Sequence, residues 1–484
     1  MTEINNRFAK KEEIRRKVES MQCKNAHFSA GGIPVYSDKE TVQMITSDRH
    51  TLIMGASGSM KSRRVVMPTA VNLIKAGESM IINDPKGEIC KKISNILEQY
   101  HYKKIVINFR DPGVGNRWNP FSTVAEAKNE GNIDLSNQYI RDIAKSIYGE
   151  LARVTNDSFW TNTACDYFTG LAQINRDYAP SESLTLENIS HIHHMGKGKI
   201  SSSTYLKEFS VEHLDALSET YANLMGTIDA PNETKSSLYS VFTQPLALYN
   251  QENIKDLMST SDFNFSQIGQ EKTAVFMITP DERSSYNPII SMFIKLCYSV
   301  LIHTAHRNHN DRLPVRVNFL IDEFSNLPAI EDFDNMISAA RSRNIRFQLV
   351  VQGMTQMQMK YGESTTKNIM NNCDLVIMRS RDQDLHAYIS LICGQKELPY
   401  THDKRQLITS MDIQTLDKAS GEVFILMQGL HPFKTILPDI DEYQYNLTFG
   451  NKTIFKRRAP LQRVIFDIRD IVKADRQKKT YSFL

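Results

Sequence analysis

The sequence predicts an α/β fold, a mainly parallel sheet interrupted by an all-α domain, and three observations carry that prediction. Short apolar runs alternate with helical patterns up to about residue 122 and again after residue 265. Parallel strands need crossover connections, usually helices, so this alternation is the expected signature of such a sheet. Between the two stretches, residues 123–265 show helical periodicity and few strand runs. The third observation is size: 484 residues, 41% hydrophobic and 23% charged, suffice for more than one core and exclude disorder, collagen and coiled coil for most of the length.

Residues 1–25 are charged and carry KKEEIRRK from Lys10 to Lys17, which reads as a basic, solvated helix or docking arm. Within residues 26–122, TLIMG from Thr51 reads as a strand, RRVVMPTAVNLIKAG as a helix closed by Gly77, SMIINDPKGE as a second strand, ICKKISNILEQY as a helix and KKIVINF as a third strand. Residues 123–265 hold the helical stretches NQYIRDIAKSIYGELARV, FWTNTACDYFTGLAQIN, SVEHLDALSETYANLMG and TKSSLYSVFTQPLALY. Trp160 and Tyr167 fall there at core spacing, while His191, His193 and His194 read as part of a polar loop, since no Cys or acidic residue lies at ligand spacing.

Over residues 266–450 the alternation returns with TAVFMIT (273–279), a helix near 288–305, VNFLIDE (317–323), a helix near 331–342, FQLVVQG (347–353), DLVIMRS (374–380), a helix near 384–393 and EVFILMQG (422–429). The last stretch, 451–484, holds ten Lys and Arg against three Asp. It reads as a basic tail, either solvated or in contact with DNA phosphates or anionic lipid headgroups. A net charge of +3 on 58 basic and 55 acidic residues does not by itself imply a nucleic-acid partner. Six scattered cysteines without CxxC spacing read as reduced thiols of a cytosolic protein. Pro288–Ala305 is apolar but carries Lys295 and His303, so it reads as a buried helix, and the chain is expected to be soluble.

One segment carries chemistry. Gly55, Ala56, Ser57, Gly58, Ser59, Met60, Lys61, Ser62 and then Arg63 follow a strand and open a helix. That is the setting of a phosphate-binding loop, in which backbone N–H groups and the helix N-terminus surround phosphates, the lysine reaches the β/γ oxygens and the hydroxyl ligates Mg²⁺. The usual pattern is GxxxxGK[ST], and Met60 stands where its last glycine belongs. A second segment, Asn318–Glu323, is an apolar strand ending in two carboxylates. Asp322 is placed to hold Mg²⁺ with Ser62, and Glu323 to activate water. Gln352 ends a third strand, where it would report the γ-phosphate or position water, and Arg341 and Arg343 are candidates for an arginine acting on a neighbouring subunit. Together these residues predict a P-loop NTPase using ATP and Mg²⁺.

From about Gly32 to Tyr443 the chain resembles the conjugative coupling proteins of type IV secretion systems, TraG/TraD-like ATPases. The resemblance rests on the phosphate loop, Asp84-Pro85-Lys86-Gly87-Glu88, Trp118-Asn119-Pro120-Phe121, Phe159-Trp160, Asp322-Glu323-Phe324 with Asn326, Arg341-Ser342-Arg343 with Asn344-Ile345, Gln352, Asn371-Asn372-Cys373-Asp374, and the stretch around Gly429 and Pro432. It implies a RecA-like nucleotide-binding domain split by the all-α domain, a hexameric ring, ATP hydrolysis at subunit interfaces and sequence-independent binding of single- or double-stranded DNA. It also implies a relaxase or relaxosome and the secretion-channel proteins as partners. Asp84 and Lys86, at the end of the strand taken to lie next to the phosphate-loop strand, are expected near the nucleotide or the subunit interface. Members commonly carry N-terminal membrane helices. None is readable here, so the expectation is a cytoplasmic protein, peripheral at the inner face of the plasma membrane and anchored by another protein. The rival expectation is a nucleotide-gated, poorly hydrolysing adaptor that docks relaxase or protein effectors on the channel.

Overall fold

The apolar runs become one nine-stranded sheet. In chain order its strands are β1 (His50–Met54), β2 (Ser79–Pro85), β3 (Lys103–Asn108), β4 (Thr273–Thr279), β5 (Val317–Ile321), β6 (Ile345–Val351), β7 (Cys373–Ile377), β8 (Glu422–Leu426) and β9 (Phe433–Ile436). The computed structural model describes residues 6–154, 158–280, 282–397, 403–450 and 455–482. It divides the chain into two compact units: Met1–Arg110 with Phe265–Ser284 and Leu301–Ile454, and Asp111–Asn264 with Ser285–Val300 and Phe455–Leu484. All nine strands belong to the first.

Their order across the sheet is β9-β8-β7-β1-β6-β5-β2-β4-β3. From β7 to β3 every pairing is parallel, and β8 and β9 continue one side antiparallel. Register is set by runs such as Thr51 opposite Gln348 and Met54 opposite both Val351 and Ile377. Every residue of β1, β4, β5, β6 and β7 is buried, as expected of parallel strands covered on both faces.

The N-terminal segment departs from expectation. Among the described residues its helix is only Lys11–Arg15, and Glu19–Gln22 forms a strand against Thr41–Ile45, which in turn pairs with Ile33–Ser37. Cys23, fully buried, anchors the turn through its N–H to the Glu40 carbonyl at 2.6 Å. A local charge pattern cannot reveal this long-range pairing. Residues 1–5 of the expected arm lie outside the described residues.

The second unit is helical, with long helices at Ile133–Val154, Ser158–Tyr178 and Asn232–Leu246 packed around Tyr148, Tyr167, Phe168 and Phe242. Tyr167 is a core residue as expected, while Trp160 is half-buried and Phe159 is exposed. The histidine segment is not a loop: it lies in helix Leu186–Gly196, capped by Thr185, and buried His193 meets the Tyr167 hydroxyl at 3.1 Å. The basic stretch is likewise not a free tail. Helix Ile468–Ser482 packs on helices Leu186–Gly196 and Tyr205–His213, with Arg476 on Glu208, Lys479 on Glu212 at 2.7 Å and Asp475 on His213 at 2.7 Å. Arg458 reaches Asp256 at 2.9 Å and Arg463 reaches Glu252 at 2.8 Å. Lys452 lies outside the described residues.

Among the described residues one helix, Asn287–His306, is long and apolar enough to cross a membrane by length and composition, and 72% of its apolar window is buried inside the protein. All six cysteines are free thiols.

Candidate functional site

The C-terminal edge of the parallel strands gathers the polar residues of the sequence motifs. β1 ends at Met54 and the loop Gly55–Lys61 follows. A Cβ at Gly55 would lie 2.8 Å from the Met378 Cβ and 2.8 Å from the Ser59 hydroxyl, so this close approach demands glycine. Gly58 takes φ +72°, and Met60 takes φ +68° without glycine's freedom. A left-handed backbone costs an L-residue about 1 kcal/mol or somewhat more, so the loop keeps the shape a glycine would give and carries the strain.

Lys61 is buried, and its ammonium donates to the carbonyls of Gly55 at 2.6 Å and Ala56 at 3.2 Å. Burial lowers its pKa, opposed by the carboxylates of Glu323 and Asp322. The helix after it opens as a wide π-turn, Ser62–Val66, closed by Met67 N–H on the Ser62 carbonyl. Pro68 follows and has no N–H to give to residue 64, which favours the wider winding.

The two halves of the predicted site meet. Ser62 Oγ donates to Asp322 Oδ2 at 2.7 Å, and Gln352 Nε2 donates to Glu323 Oε2 at 2.9 Å. Burial raises the Asp322 pKa, partly offset by the Ser62 hydrogen bond. Glu323 sits at φ 54°, ψ 42°, a left-handed bend that turns the chain off β5 directly after Asp322. Asn83 of β2 steadies this bend by donating to the Asp322 carbonyl at 2.7 Å. The sequence analysis missed Asn83, although a polar residue interrupting the apolar run SMIIND was a usable signal.

The strands bearing Lys61 and Asp322 are not neighbours: β6, with Gln352 at its tip, lies between β1 and β5. Nor is the Asp84 strand next to the phosphate-loop strand, for β5 and β6 separate β2 from β1. Asp84 is buried and turned inward. Its carboxylate accepts the N–H groups of Ile89 at 3.2 Å and Cys90 at 2.8 Å at the start of helix Glu88–Gln99, and burial pushes its pKa up to about 7. Lys86 is exposed at φ 88° in the turn before that helix. Arg63 is held by Asp439 and by Asp441 at 2.7 Å. Arg341 and Arg343 form the short turn that precedes β6, at the opposite edge of the sheet from the phosphate loop, and Arg341 donates to Asp48 at 3.2 Å. The chain therefore brings together Lys61, Ser62, Asp322, Glu323 and Gln352, but not the two arginines.

The donor set fits a phosphate–magnesium group. A hydroxyl and a carboxylate in contact are hard oxygen ligands, and Mg²⁺ typically takes only one or two protein ligands beside phosphate oxygens. Among the described residues no cluster of three or more His, Cys, Asp or Glu forms an all-protein metal cage, which this mode does not require.

Residues 1–434 match the family model for type IV secretory system conjugative DNA transfer. The chain belongs to that family. Similar proteins include conjugal transfer protein TraG of Rhizobium radiobacter, 21% identical over 71% of this chain and 52% of its own length, and TraG of Escherichia coli, 23% identical over 67% and 51%. Protein VirD4 of Rhizobium rhizogenes is 26% identical over 34% of this chain and 25% of its own length. The chain thus spans about half the length of the TraG relatives. Among solved structures, the plasmid coupling protein TrwB in complex with the ATP analogue ADPNP superposes with a TM-score of 0.67 at 16% identity, covering 94% of this chain and 97% of that one. A TrwB complex with ADP and Mg²⁺ gives 0.65 at 15% identity over 94% and 95%. The shared fold is the RecA-like P-loop NTPase with an all-α domain.

Proposed function

We propose that the chain is an ATP-hydrolysing coupling protein of conjugation, which recruits a relaxase–DNA complex and drives DNA into a type IV secretion channel. The observation that carries this reading is the paired contact of Ser62 with Asp322 and of Glu323 with Gln352 beside Lys61, on a chain of this family. TrwB, which shares the fold, is described in complex with ADPNP and with ADP and Mg²⁺.

The loop from Gly55 to Ser62 would hold the phosphates through its N–H groups, and Lys61 would supply positive charge at the β/γ oxygens. Ser62 and Asp322 would hold Mg²⁺, which supplies charge neutralisation at the phosphates when bound. Glu323 would accept the proton of the attacking water, and Gln352, which donates to Glu323, would report the γ-phosphate or position that water. Asp84 and Lys86, at the β2 turn, belong to the same proposal as residues near the nucleotide, and the charge of Asp322 acts on the Asp84 carboxyl. Arg341 or Arg343 would act on the site of an adjacent copy, since both lie at the opposite end of the sheet from the phosphate loop of their own chain. A hexameric ring, relaxase and channel proteins as partners, sequence-independent DNA binding and a place at the cytoplasmic face of the membrane belong to the same proposal. Domain limits at about residues 25, 122, 265 and 450 would divide the arm, the two parts of the nucleotide domain, the all-α domain and the basic C-terminal segment.

Steady-state phosphate release with and without single-stranded DNA tests the proposal. DNA-stimulated release in the wild type, abolished in Lys61→Ala with an unchanged circular dichroism spectrum, is the expected result. Release that Lys61→Ala leaves unchanged refutes it. Nucleotide binding without release would favour the poorly hydrolysing adaptor, which the strained Met60 position keeps as the second reading.

A further inference from the structure

The predicted arginines of this chain lie at the wrong edge of the sheet to serve its own site, but another cation does not. Arg381 follows β7, which pairs directly with the phosphate-loop strand. It lines a cavity of ≈ 520 Å³ together with Ala56 and Ser57 of the loop, Gln352 and Thr355. Gln352 is bonded to Glu323, so this cavity opens on the side where water would attack, the terminal-phosphate end of a P-loop site.

The backbone that presents Arg381 is fixed on both sides. Before it, the Met378 N–H donates to the Met54 carbonyl at 2.8 Å, and the Ala56 N–H donates to the Arg379 carbonyl at 3.0 Å. After it, Asp382 caps helix Gln383–Cys393 by accepting from Asp384 N–H at 3.0 Å and Leu385 N–H at 3.2 Å, and it also accepts from the Thr355 N–H at 3.2 Å and hydroxyl at 3.1 Å. Buried Ser380 completes the turn: its hydroxyl accepts the Asp382 N–H at 3.1 Å, and its carbonyl meets His386 Nε2 at 3.2 Å. Asp382 is thus engaged with backbone and Thr355, and Asp384, which also lines the cavity, has its carboxylate 3.0 Å from the same Thr355 hydroxyl. Its own side chain is exposed and makes no ion pair among the described residues. A rigid turn that holds an unpaired guanidinium at the mouth of a polar cavity suits a multiply charged oxyanion.

We propose that Arg381 contacts the terminal phosphate of the nucleotide in cis, so that each subunit carries its own charge-stabilising arginine independent of any supplied by a neighbour. This rests on the nucleotide-site reading above. It predicts a selective effect: Arg381 discriminates the triphosphate from the diphosphate, whereas Lys61 serves both.

Equilibrium titrations of the full chain with fluorescent ADP and with a fluorescent non-hydrolysable ATP analogue read this directly. In Arg381→Ala the affinity for the ATP analogue should fall about tenfold, the loss of one charge-assisted hydrogen bond to phosphate, while ADP affinity stays within about twofold. Arg381→Lys should be intermediate, and Arg379→Ala, on the same turn but outside the cavity lining, should match the wild type. Equal weakening of both nucleotides in Arg381→Ala, or of neither, overturns the inference. Lys61→Ala should lose both nucleotides, and a wild type that binds neither overturns the site reading itself and the inference with it.

Discussion

At the residue scale Met60 is the most informative departure. Its φ of +68° is the backbone a glycine would adopt freely, so the substitution has left the loop shape and added strain. Met60→Gly should tighten nucleotide binding measurably while changing unfolding stability by less than about 1 kcal/mol, because strain relief is offset by the freer unfolded chain. Met60→Val, β-branched in a left-handed position, should lower stability by about 1 kcal/mol or more. Urea denaturation of the three forms checks both statements. Asp84 gives a pH test. Its folded-state pKa is raised to about 7 from an ordinary 3.8, so the folded chain binds the extra proton and that contribution to stability is lost as pH rises through 7. Wild-type stability should therefore fall relative to Asp84→Asn between pH 5 and pH 8, and a constant difference would show that the carboxyl does not titrate there. The motif residues of the site were legible because a phosphate loop and an acidic strand end are local patterns. The role of Asp84 was not, since only the fold reveals a side chain turned inward to cap its own helix.

At the element scale, periodicity gave most strands of the large sheet and the long helices, but it missed the N-terminal strands, the helix Leu186–Gly196 and β9, and it did not give strand order. That β6 lies between β1 and β5 depends on long-range pairing, and no local pattern in Thr51–Met54 or Val317–Ile321 encodes it. The same blindness made of residues 451–484 a basic tail, solvated or in contact with phosphates, although Arg458, Arg463, Arg476 and Lys479 find carboxylates distant in sequence. Helix Ile468–Ser482 offers two explanations of its docking: fully buried Ile468 and nearly buried Val472, or its ion pairs. Half-exposed pairs contribute about 0.2–1 kcal/mol each, whereas a carboxylate placed in an apolar contact costs several times more. Ile468→Asp should therefore lower the thermal midpoint by clearly more than Arg476→Ala. Equal shifts would mean that charge, not apolar burial, seats the helix.

At the scale of the whole molecule, the position of the arginines sets up a test of whether hydrolysis uses one chain or two. Arg341 lies at the opposite sheet edge from Lys61 in its own subunit, bonded to Asp48. If it acts across an interface, Lys61→Ala and Arg341→Ala chains, each inactive alone, should regain part of the hydrolysis when mixed, because some interfaces then pair an intact loop with an intact arginine. Mixtures that stay as inactive as either parent would remove Arg341 from the reaction. The division of labour within one site is tested most directly at Glu323, bonded to Gln352 and adjacent to the Asp322 carboxylate. Binding of a fluorescent ATP analogue and release of phosphate, measured side by side on Glu323→Gln, should give affinity near that of the wild type with hydrolysis reduced by at least about a hundredfold, the usual scale of a general base. A Glu323→Gln chain that releases phosphate at the wild-type rate would contradict the account.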